Sequence, residues 1–390
     1  MIYKALDYYN VDELLSEDEV LVRDTARKFT DKEVLPNISN HWEEGSFPVE
    51  LIPKLAELGF LGPFIPQEYG GPGCSYTVYG LICQELERGD SGIRSFASVQ
   101  GSLVMYPIWK FGSEEQKQKY LPRLASGELI GCFGLTEPDA GSDPRSMVTH
   151  VKRDGSDWII NGAKMWITNG TIADIAVVWA KDEEGKIRGF IVHKDDPGFS
   201  APEIKHKVSL RASITSELVF TDVRVPADRE LPHTEDLKSP LMCLTSARYG
   251  IAWGAVGAFQ AIFDEVLRYS MERIQFNKPV ASFQITQNKL TDMATALTNA
   301  QLMAYRMGQL ADSNKMKFYH VSMAKRQNVS EALKAARVGR AMLGANGITL
   351  EYQTIRHMCN LESVHTYEGT YDIHTLIVGE QLTGLPAFGG

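Results

Sequence analysis

Three stretches near the C-terminal end, Cys243–Arg273, Phe283–Ala311 and Lys315–Leu343, repeat apolar residues with helical period. Each is much longer than a typical globular helix of about 11–12 residues. Antiparallel packing of such lengths makes a bundle, so residues 241–390 are expected to form a four-helix bundle. Gly250, Gly254 and Gly257 fall on neighbouring faces of the first stretch, which permits close contact with another helix or with a ligand.

The chain ahead of this bundle divides in two. Residues 1–130 read as helices: Ser16 and Glu19 form a capping box before a run that ends near Leu35-Pro36, and Val49–Leu58 closes at Gly59. Ser75–Arg88 and Ser91–Phe111 are apolar-periodic, and Ser113 with Gln116 caps a last short helix that stops at Gly127. From about Ile130 the period changes to that of strands. Trp158-Ile-Ile, Asn161-Gly162 and Ala163–Thr168 read as a hairpin with a type I′ turn. Ile175–Ala180 and Ile187–His193 flank Asp182-Glu-Glu-Gly185 as a second hairpin, and Glu203–Ser209 and Thr215–Phe220 add two short strands. Residues 131–240 are therefore expected to be an antiparallel, barrel-like β domain, and the fold class is α+β: helical domain, β domain, helical bundle.

Composition removes several function classes. With 390 residues, 44% hydrophobic and 23% charged, the chain is ordinary globular material. A net charge of −9 without a basic run argues against nucleic acid as partner. No apolar run is long enough to span a membrane. The N-terminal Met1-Ile-Tyr-Lys-Ala-Leu-Asp-Tyr-Tyr lacks a signal or transit pattern. Five scattered cysteines, none in a C-x-x-C pair, read as reduced core thiols of a cytoplasmic protein, or of a mitochondrial matrix protein stripped of a transit peptide. Nine histidines with no H-x-x-x-H spacing suggest no metal site. No G-x-x-x-x-G-K-[ST] occurs, nor a G-x-G-x-x-G between strand and helix, so phosphate-loop and Rossmann folds have no support.

Glu368, in Val364-His-Thr-Tyr-Glu-Gly369, is a lone carboxylate among apolar and aromatic neighbours, just ahead of the amphipathic run from Asp372. Desolvation there would raise its pKa and make it a base able to take a carbon-bound proton. The competing reading is an acid that caps a helix N-terminus, where negative charge is favourable anyway.

Several separate motifs, in order, resemble those of the flavin-dependent acyl-CoA dehydrogenases, over residues 15–388. Gly131-Cys-Phe-Gly-Leu-Thr-Glu-Pro-Asp-Ala-Gly-Ser-Asp143 is similar to the family's first flavin loop and Met165-Trp-Ile-Thr-Asn169 to its second. Arg273-Ile-Gln-Phe276 with Phe283-Gln284 is similar to the segment that reaches the adenine half of FAD across a subunit interface. Leu343-Gly-Ala-Asn-Gly347 and Tyr367-Glu-Gly-Thr370 complete the set. The resemblance implies FAD as cofactor, a homotetramer, and Glu368 as the base. It implies flavin contacts from Phe133, Leu135, Thr136, Gly141, Ser142, Trp166, Ile167, Thr168, Arg273, Gln275, Phe276, Gln284, Gly344, Gly347, Thr370 and Asp372. Trp166, Phe133, Leu135, Thr136 and Thr168 fit the flat, mostly apolar flavin ring, which needs an aromatic wall, backbone donors and a hydroxyl near N5, while Ser142 and Gly344 suit the pyrophosphate. Other roles compete: a β-core position for Trp166, a helix cap for Ser142 and Asp372, an ordinary surface for Arg273, Gln275 and Phe276. Two departures from the family stand out, Asn277 for a glycine and Ala345 within its Gly-Gly.

Within the family, Glu85-Leu-Glu-Arg-Gly-Asp-Ser-Gly-Ile-Arg94-Ser-Phe-Ala-Ser98 resembles the segment by which the glutaryl-CoA dehydrogenases bind a second carboxylate, although Gly89, Ile93 and Phe96 depart from it. Arg94 in an apolar setting needs an anion: the distal carboxylate of a dicarboxylic substrate, or Glu87, on the same face if the helix is continuous, or both in turn, with Glu87 partnering Arg94 until substrate arrives. Ser95 and Ser98 would add hydroxyls; Ser142 and Tyr367 would also meet substrate. Arg248 falls where the family engages the CoA side of the pocket, and an interhelical salt bridge explains it as well. The implied reaction is α,β-dehydrogenation of glutaryl-CoA with decarboxylation to crotonyl-CoA, as in lysine and tryptophan degradation, with electrons passing to an electron-transfer flavoprotein. Alternatives are oxidation of another short or branched acyl-CoA, a non-decarboxylating glutaryl-CoA dehydrogenase, or a flavoprotein or helical interaction module that kept only the fold.

Overall fold

The computed structural model describes residues 4–388, so residues 1–3 of the N-terminal segment read above lie outside it. Seven α-helices open the chain: α1 (Glu17–Phe29), α2 (Ile38–Glu44), α3 (Ile52–Glu57), α4 (Tyr76–Gly89), α5 (Ser91–Ser98), α6 (Tyr106–Phe111) and α7 (Glu114–Ala125). Both expected capping boxes form, Ser16 with Glu19 and Ser113 with Gln116. The stretch read as one segment from Ser91 to Phe111 is α5 and α6 joined by a π-helical turn, Val99–Met105. Helix α4 does not run into α5. Asp90 is extended (φ −164°, ψ 143°), and its carboxylate caps Gly92 N–H at 2.7 Å while accepting from Arg356 and Asn360.

The middle of the chain is a curled seven-stranded sheet of β1 (Gly131–Gly134), β2 (His150–Asp154), β3 (Asp157–Thr168), β4 (Ile175–Lys181), β5 (Ile187–His193), β6 (Phe199–Ser200) and β7 (Thr215–Val225). Its order is β1-β4-β2-β3-β7-β6, with β5 on β4. Most pairs are antiparallel, but β1 and β2 both run parallel to β4, so the sheet is mixed and not wholly antiparallel as expected. The β4–β5 hairpin turns at Asp182–Lys186 as expected. The Asn161-Gly162 hairpin does not exist: β3 runs straight through it, and the chain reverses at residues 155–156, between β2 and β3. Gly162, at φ +140°, instead marks a register shift against β7, and a Cβ there would press on Thr149. The strand expected at Glu203–Ser209 is a loop with one bridge, Glu203 to Ser216, because Lys207 turns inward to bond Leu210 O, Ser213 O and Thr215 Oγ1.

The C-terminal region comprises α8 (Lys238–Glu272), a small hairpin of β8 (Ile274–Gln275) and β9 (Lys278–Pro279), then α9 (Gln284–Asp312), α10 (Phe318–Met342), α11 (Gln353–Thr366) and α12 (Tyr371–Thr383). Helices α8 to α11 form the bundle, and α12 lies on α10. Asn328 of α10 donates to Ala252 O of α8 and Ala300 O of α9, both at 3.1 Å, and so locks three helices in register. Helix α8 is buried along most of its length, with α4 against it. Three of its glycines make that contact possible: a Cβ on Gly250 would meet Tyr79, one on Gly254 would collide with Glu87, and one on Gly257 would collide with the Gln84 backbone. None of the described helices is long and apolar enough to cross a membrane. Of the five cysteines, none in a disulfide, Cys83, Cys132 and Cys243 are in the core, while Cys74 and Cys359 are half-buried and depart from the expected core role.

Candidate active site

Helix α11 ends at Thr366 and α12 begins at Tyr371, with Thr370 accepting from Ile373 N–H as its N-cap. Between them the backbone turns through two left-handed residues, Glu368 at φ 51° and Gly369 at φ 97°. Glycine reaches that region freely, but for a glutamate it costs about 1–2 kcal/mol. The surroundings supply the compensation. Arg248 of α8 donates from Nε to Glu368 O at 2.6 Å, and Lys325 of α10 donates from Nζ to Tyr367 O at 2.5 Å and Gly369 O at 2.6 Å. Hydrogen bonds to charged groups contribute about 1.5–3 kcal/mol each, enough to outweigh the strain.

Glu368 is half-buried as a residue, but its Oε2 is shut off from solvent and has no hydrogen-bond partner among the described residues. Its N–H likewise finds no acceptor among them. Burial raises the carboxyl above its ordinary pKa, against the opposing pull of Arg94, Lys325 and Arg248. Burial also lowers its cationic neighbours, Lys325 to about 7 and Arg248 to about 10. His374 of α12, packed against Gly369, is wholly buried and held neutral by desolvation and by the adjacent cations. The helix-cap reading of Glu368 fails: Thr370 caps α12, and the carboxylate lies apart in an enclosed polar pocket.

Arg94 reaches the same pocket from α5. It is 1% exposed, donates from Nε to Glu87 Oε2 at 2.5 Å and bonds the Tyr367 hydroxyl through Nη2. Burial opposes its charge, but Glu87 and Tyr367 outweigh that and keep it firmly protonated. Glu87 is held in turn by Ser91 Oγ at 2.8 Å. The internal pair therefore forms even though α4 and α5 are not one helix. These bonds use two of the guanidinium's five donors. Ser98 belongs to a separate group around Tyr79, whose hydroxyl sits 3.3 Å from Ser98 Oγ and 2.9 Å from Ser102 Oγ; Ser95 is buried with no side-chain bond among the described residues. Arg248 makes no salt bridge among the described residues; its bond is to the Glu368 carbonyl.

A second group forms along the sheet. Met165 N–H donates to Thr136 O at 2.8 Å, which lays the segment Phe133–Thr136 beside Trp166–Thr168. Trp166 is not in the β core: the register shifts between Lys164 and Ile167, the residue adopts φ 64°, and the indole is 58% exposed. Phe133, Leu135 and Ile167 are buried, and Thr136 and Thr168 are half-buried. The buried Lys164 supports the loop by bonding Leu135 O at 3.0 Å and Glu137 at 2.8 Å. Gly141 and Ser142 are exposed, with nothing within 4 Å of a Cβ on Gly141; the cap in that loop comes from Asp143, not Ser142.

The remaining candidates, Gly347 apart, stand on the surface. Arg273, Gln275, Phe276 and Gln284 surround the β8–β9 hairpin, whose two turn residues, Phe276 and Asn277, are both left-handed at φ 52° and 63°. Asparagine thus keeps the turn without the family's glycine. Gly344 is exposed at φ +63°, Gly347 is buried under the Arg340 backbone, and Asp372 is exposed in the first turn of α12. A cavity of about 420 Å³ lies beside this segment, away from Glu368, lined by Glu265, Arg268, Tyr269, Glu272, Glu351 and Tyr352. Asn346 is 3.4 Å from the hydroxyls of both Tyr269 and Tyr352. No hydrogen bond links these residues to the Glu368 pocket among the described residues.

The N-terminal, middle and C-terminal domain families of acyl-CoA dehydrogenases match residues 16–128, 132–223 and 237–383. The chain belongs to the acyl-CoA dehydrogenase family. It is 49% identical to glutaryl-CoA dehydrogenase from Mycobacterium smegmatis in complex with FADH2, with a TM-score of 0.97 over 98% of this chain and 99% of that one. The mitochondrial short-chain specific acyl-CoA dehydrogenase of Bos taurus is 35% identical over 373 residues, 94% of this chain and 90% of its own length. A structure of the electron transferring flavoprotein of Acidaminococcus fermentans aligns with a TM-score of 0.92 at 34% identity, over 97% of this chain and all of its own. The protein is thus an acyl-CoA dehydrogenase resembling glutaryl-CoA dehydrogenase, and its cofactor is FAD. The exposed indole of Trp166, the adjoining Thr136–Thr168 edge and the open approach at Gly141 suit a flat ring and its phosphates.

Sequence reasoning missed Lys325 and His374, which frame the Glu368 turn. The signal for Lys325 is its spacing: Val321, Ala324, Lys325, Asn328, Val329 and Ala332 share one buried face of α10, so a lysine stands where an apolar residue is expected.

Proposed function

We propose that the protein oxidises glutaryl-CoA, with Glu368 as the base and Arg94 as the holder of the distal carboxylate. The observation that carries this is the juxtaposition in one buried pocket of an unpartnered carboxylate oxygen and a guanidinium with donors to spare. Glu368 takes the α-proton, and its own N–H, which lacks an acceptor among the described residues, is free for the thioester oxygen. Bound FAD supplies the acceptor for the hydride leaving the β-carbon. Phe133, Leu135, Thr136, Gly141, Ser142, Trp166, Ile167 and Thr168 would hold the flavin, with Thr370 and Asp372 nearby. In the glutaconyl product the γ-carboxylate leaves as CO2, and protonated Glu368 returns its proton to give crotonyl-CoA.

The partner that takes the electrons is an electron-transfer flavoprotein, as the resemblance to the family implies. The assembly is a homotetramer in which Arg273, Gln275, Phe276 and Gln284, with Gly344 and Gly347, serve the FAD of a neighbouring subunit; the exposure of all but Gly347 in the single chain supports this. The setting is the cytoplasm, or a mitochondrial matrix, as the scattered cysteines suggest.

The test is bleaching of the flavin absorbance by glutaryl-CoA. Glu368→Gln is expected to slow it by about 10²–10⁴-fold, the usual contribution of a positioned base. Arg94→Ala is expected to lose glutaryl-CoA selectively, by at least about tenfold relative to butyryl-CoA, since a desolvated ion pair contributes more than 1.4 kcal/mol. If wild type bleaches only with butyryl-CoA or a branched acyl-CoA, the substrate assignment is wrong and Arg94 serves only Glu87.

A further inference from the structure

Three successive carbonyls, those of Tyr367, Glu368 and Gly369, all accept hydrogen bonds from buried cations. The middle one is served by Arg248, and the two flanking ones by the single ammonium of Lys325. Helix α11 has ended, so these carbonyls have no partner of their own in the chain direction. Lys325 is 1% exposed and lies on the inward face of α10, where a lysine without partners would be costly to bury. Its two carbonyl bonds straddle the one residue in the turn that is left-handed without being glycine.

We propose that Lys325 is a positioning residue for the reaction: one ammonium grips the carbonyls on both sides of Glu368, locks its left-handed backbone and so fixes where its carboxylate points. This rests on Glu368 being the base. A helix end is ordinarily secured by glycine in a backbone motif, which leaves the following residues free to shift. Here the clamp comes from a different helix, so the direction of the carboxylate is tied to the packing of α10 against α11 and α12. Small displacements at a reacting group are costly, of order 100-fold for about 1 Å.

The test compares Lys325→Met, which keeps length and loses both donors, with Lys325→Gln, which keeps an uncharged pair of amide donors. Each is purified with its flavin and assayed by flavin bleaching with glutaryl-CoA and, in parallel, butyryl-CoA. Lys325→Met is expected to retain flavin and to lose about 100-fold in kcat with KM changed less than about threefold, because misdirection of the base spares ground-state binding. Lys325→Gln is expected to recover about tenfold of that loss, since the bonds return without the charge. A methionine variant with kcat within about threefold of wild type overturns the proposal, as does a parallel loss of flavin, KM and kcat in both variants. If the methionine variant does not fold, the glutamine variant decides: kcat lower by about tenfold at unchanged KM supports the clamp, and unchanged kcat overturns it. Glu368→Gln beside them separates the two claims. Full activity in that variant removes the base itself, whereas an inactive Glu368→Gln with an active Lys325→Met removes only the clamp.

Discussion

At the scale of single residues, the pocket is a balance of charges in which burial has the largest say. Glu368 is raised by desolvation and pulled back by Arg94, Lys325 and Arg248. A base must be ionised to act, so a raised pKa moves the acid limb of kcat/KM upward in pH. The rate is expected to fall tenfold per unit below an inflection above the ordinary glutamate value of about 4.3. A profile of flavin reduction against pH that stays flat down to pH 4.5 would show that burial is not tuning this carboxylate. Glu368 was singled out only through the resemblance of Tyr367-Glu-Gly-Thr370 to the family, because a lone acid just ahead of a helix reads by itself as a cap. Arg94 with Glu87 was legible only as two competing partners, and the structure shows the pair formed at 2.5 Å. Lys325 was not read at all. A lysine in a helix is ordinarily solvated; its spacing among apolar residues marks it as inward-facing, but only the packing shows that it is a ligand of the turn.

At the scale of elements, the contact of α4 with α8 carries the arrangement, because α4 brings Glu87 and α8 brings Arg248. Their closeness depends on glycine. A Cβ on Gly257 would strike Gln84 O and come within 3.0 Å of Arg88 N, and backbone atoms cannot swing aside as a side-chain tip can. Gly257→Ala is therefore expected to destabilise the protein by about 1–3 kcal/mol or more, with a lower thermal midpoint. Gly379→Ala on α12 is the matched control: nothing lies within 4 Å of its Cβ, so the gain in helix propensity should stabilise by about 0.5–1 kcal/mol. Equal midpoints for the two variants would deny the close packing its role. Elements set by local chemistry were readable, as the two capping boxes and the Asp182–Lys186 turn show. Those set by neighbours were not. Asn161-Gly162 carries a turn signal, yet β7 continues to pair across it and absorbs the glycine as a register shift.

At the scale of the whole molecule, the order of helical region, sheet and long helices followed from changes in period alone, but what the surface is for did not. Phe276 is 88% exposed and Ile274 52%, and they ride on a hairpin whose turn is fixed by two left-handed residues. A large aromatic held out on a stiff hairpin is costly to leave in water and gains by reaching another surface. It can contribute little to the stability of its own subunit, where its one aromatic contact among the described residues is Phe283 at 6.1 Å. Phe276→Ser is therefore expected to change the unfolding free energy of the chain by less than about 0.5 kcal/mol. If the hairpin serves a neighbouring subunit and its FAD, the same substitution lowers the flavin retained after gel filtration and shifts the protein toward smaller species. Flavin content and elution volume read these separately. Both unchanged would leave the hairpin without a partner, and would remove the intersubunit reading of Arg273, Gln275 and Gln284 with it.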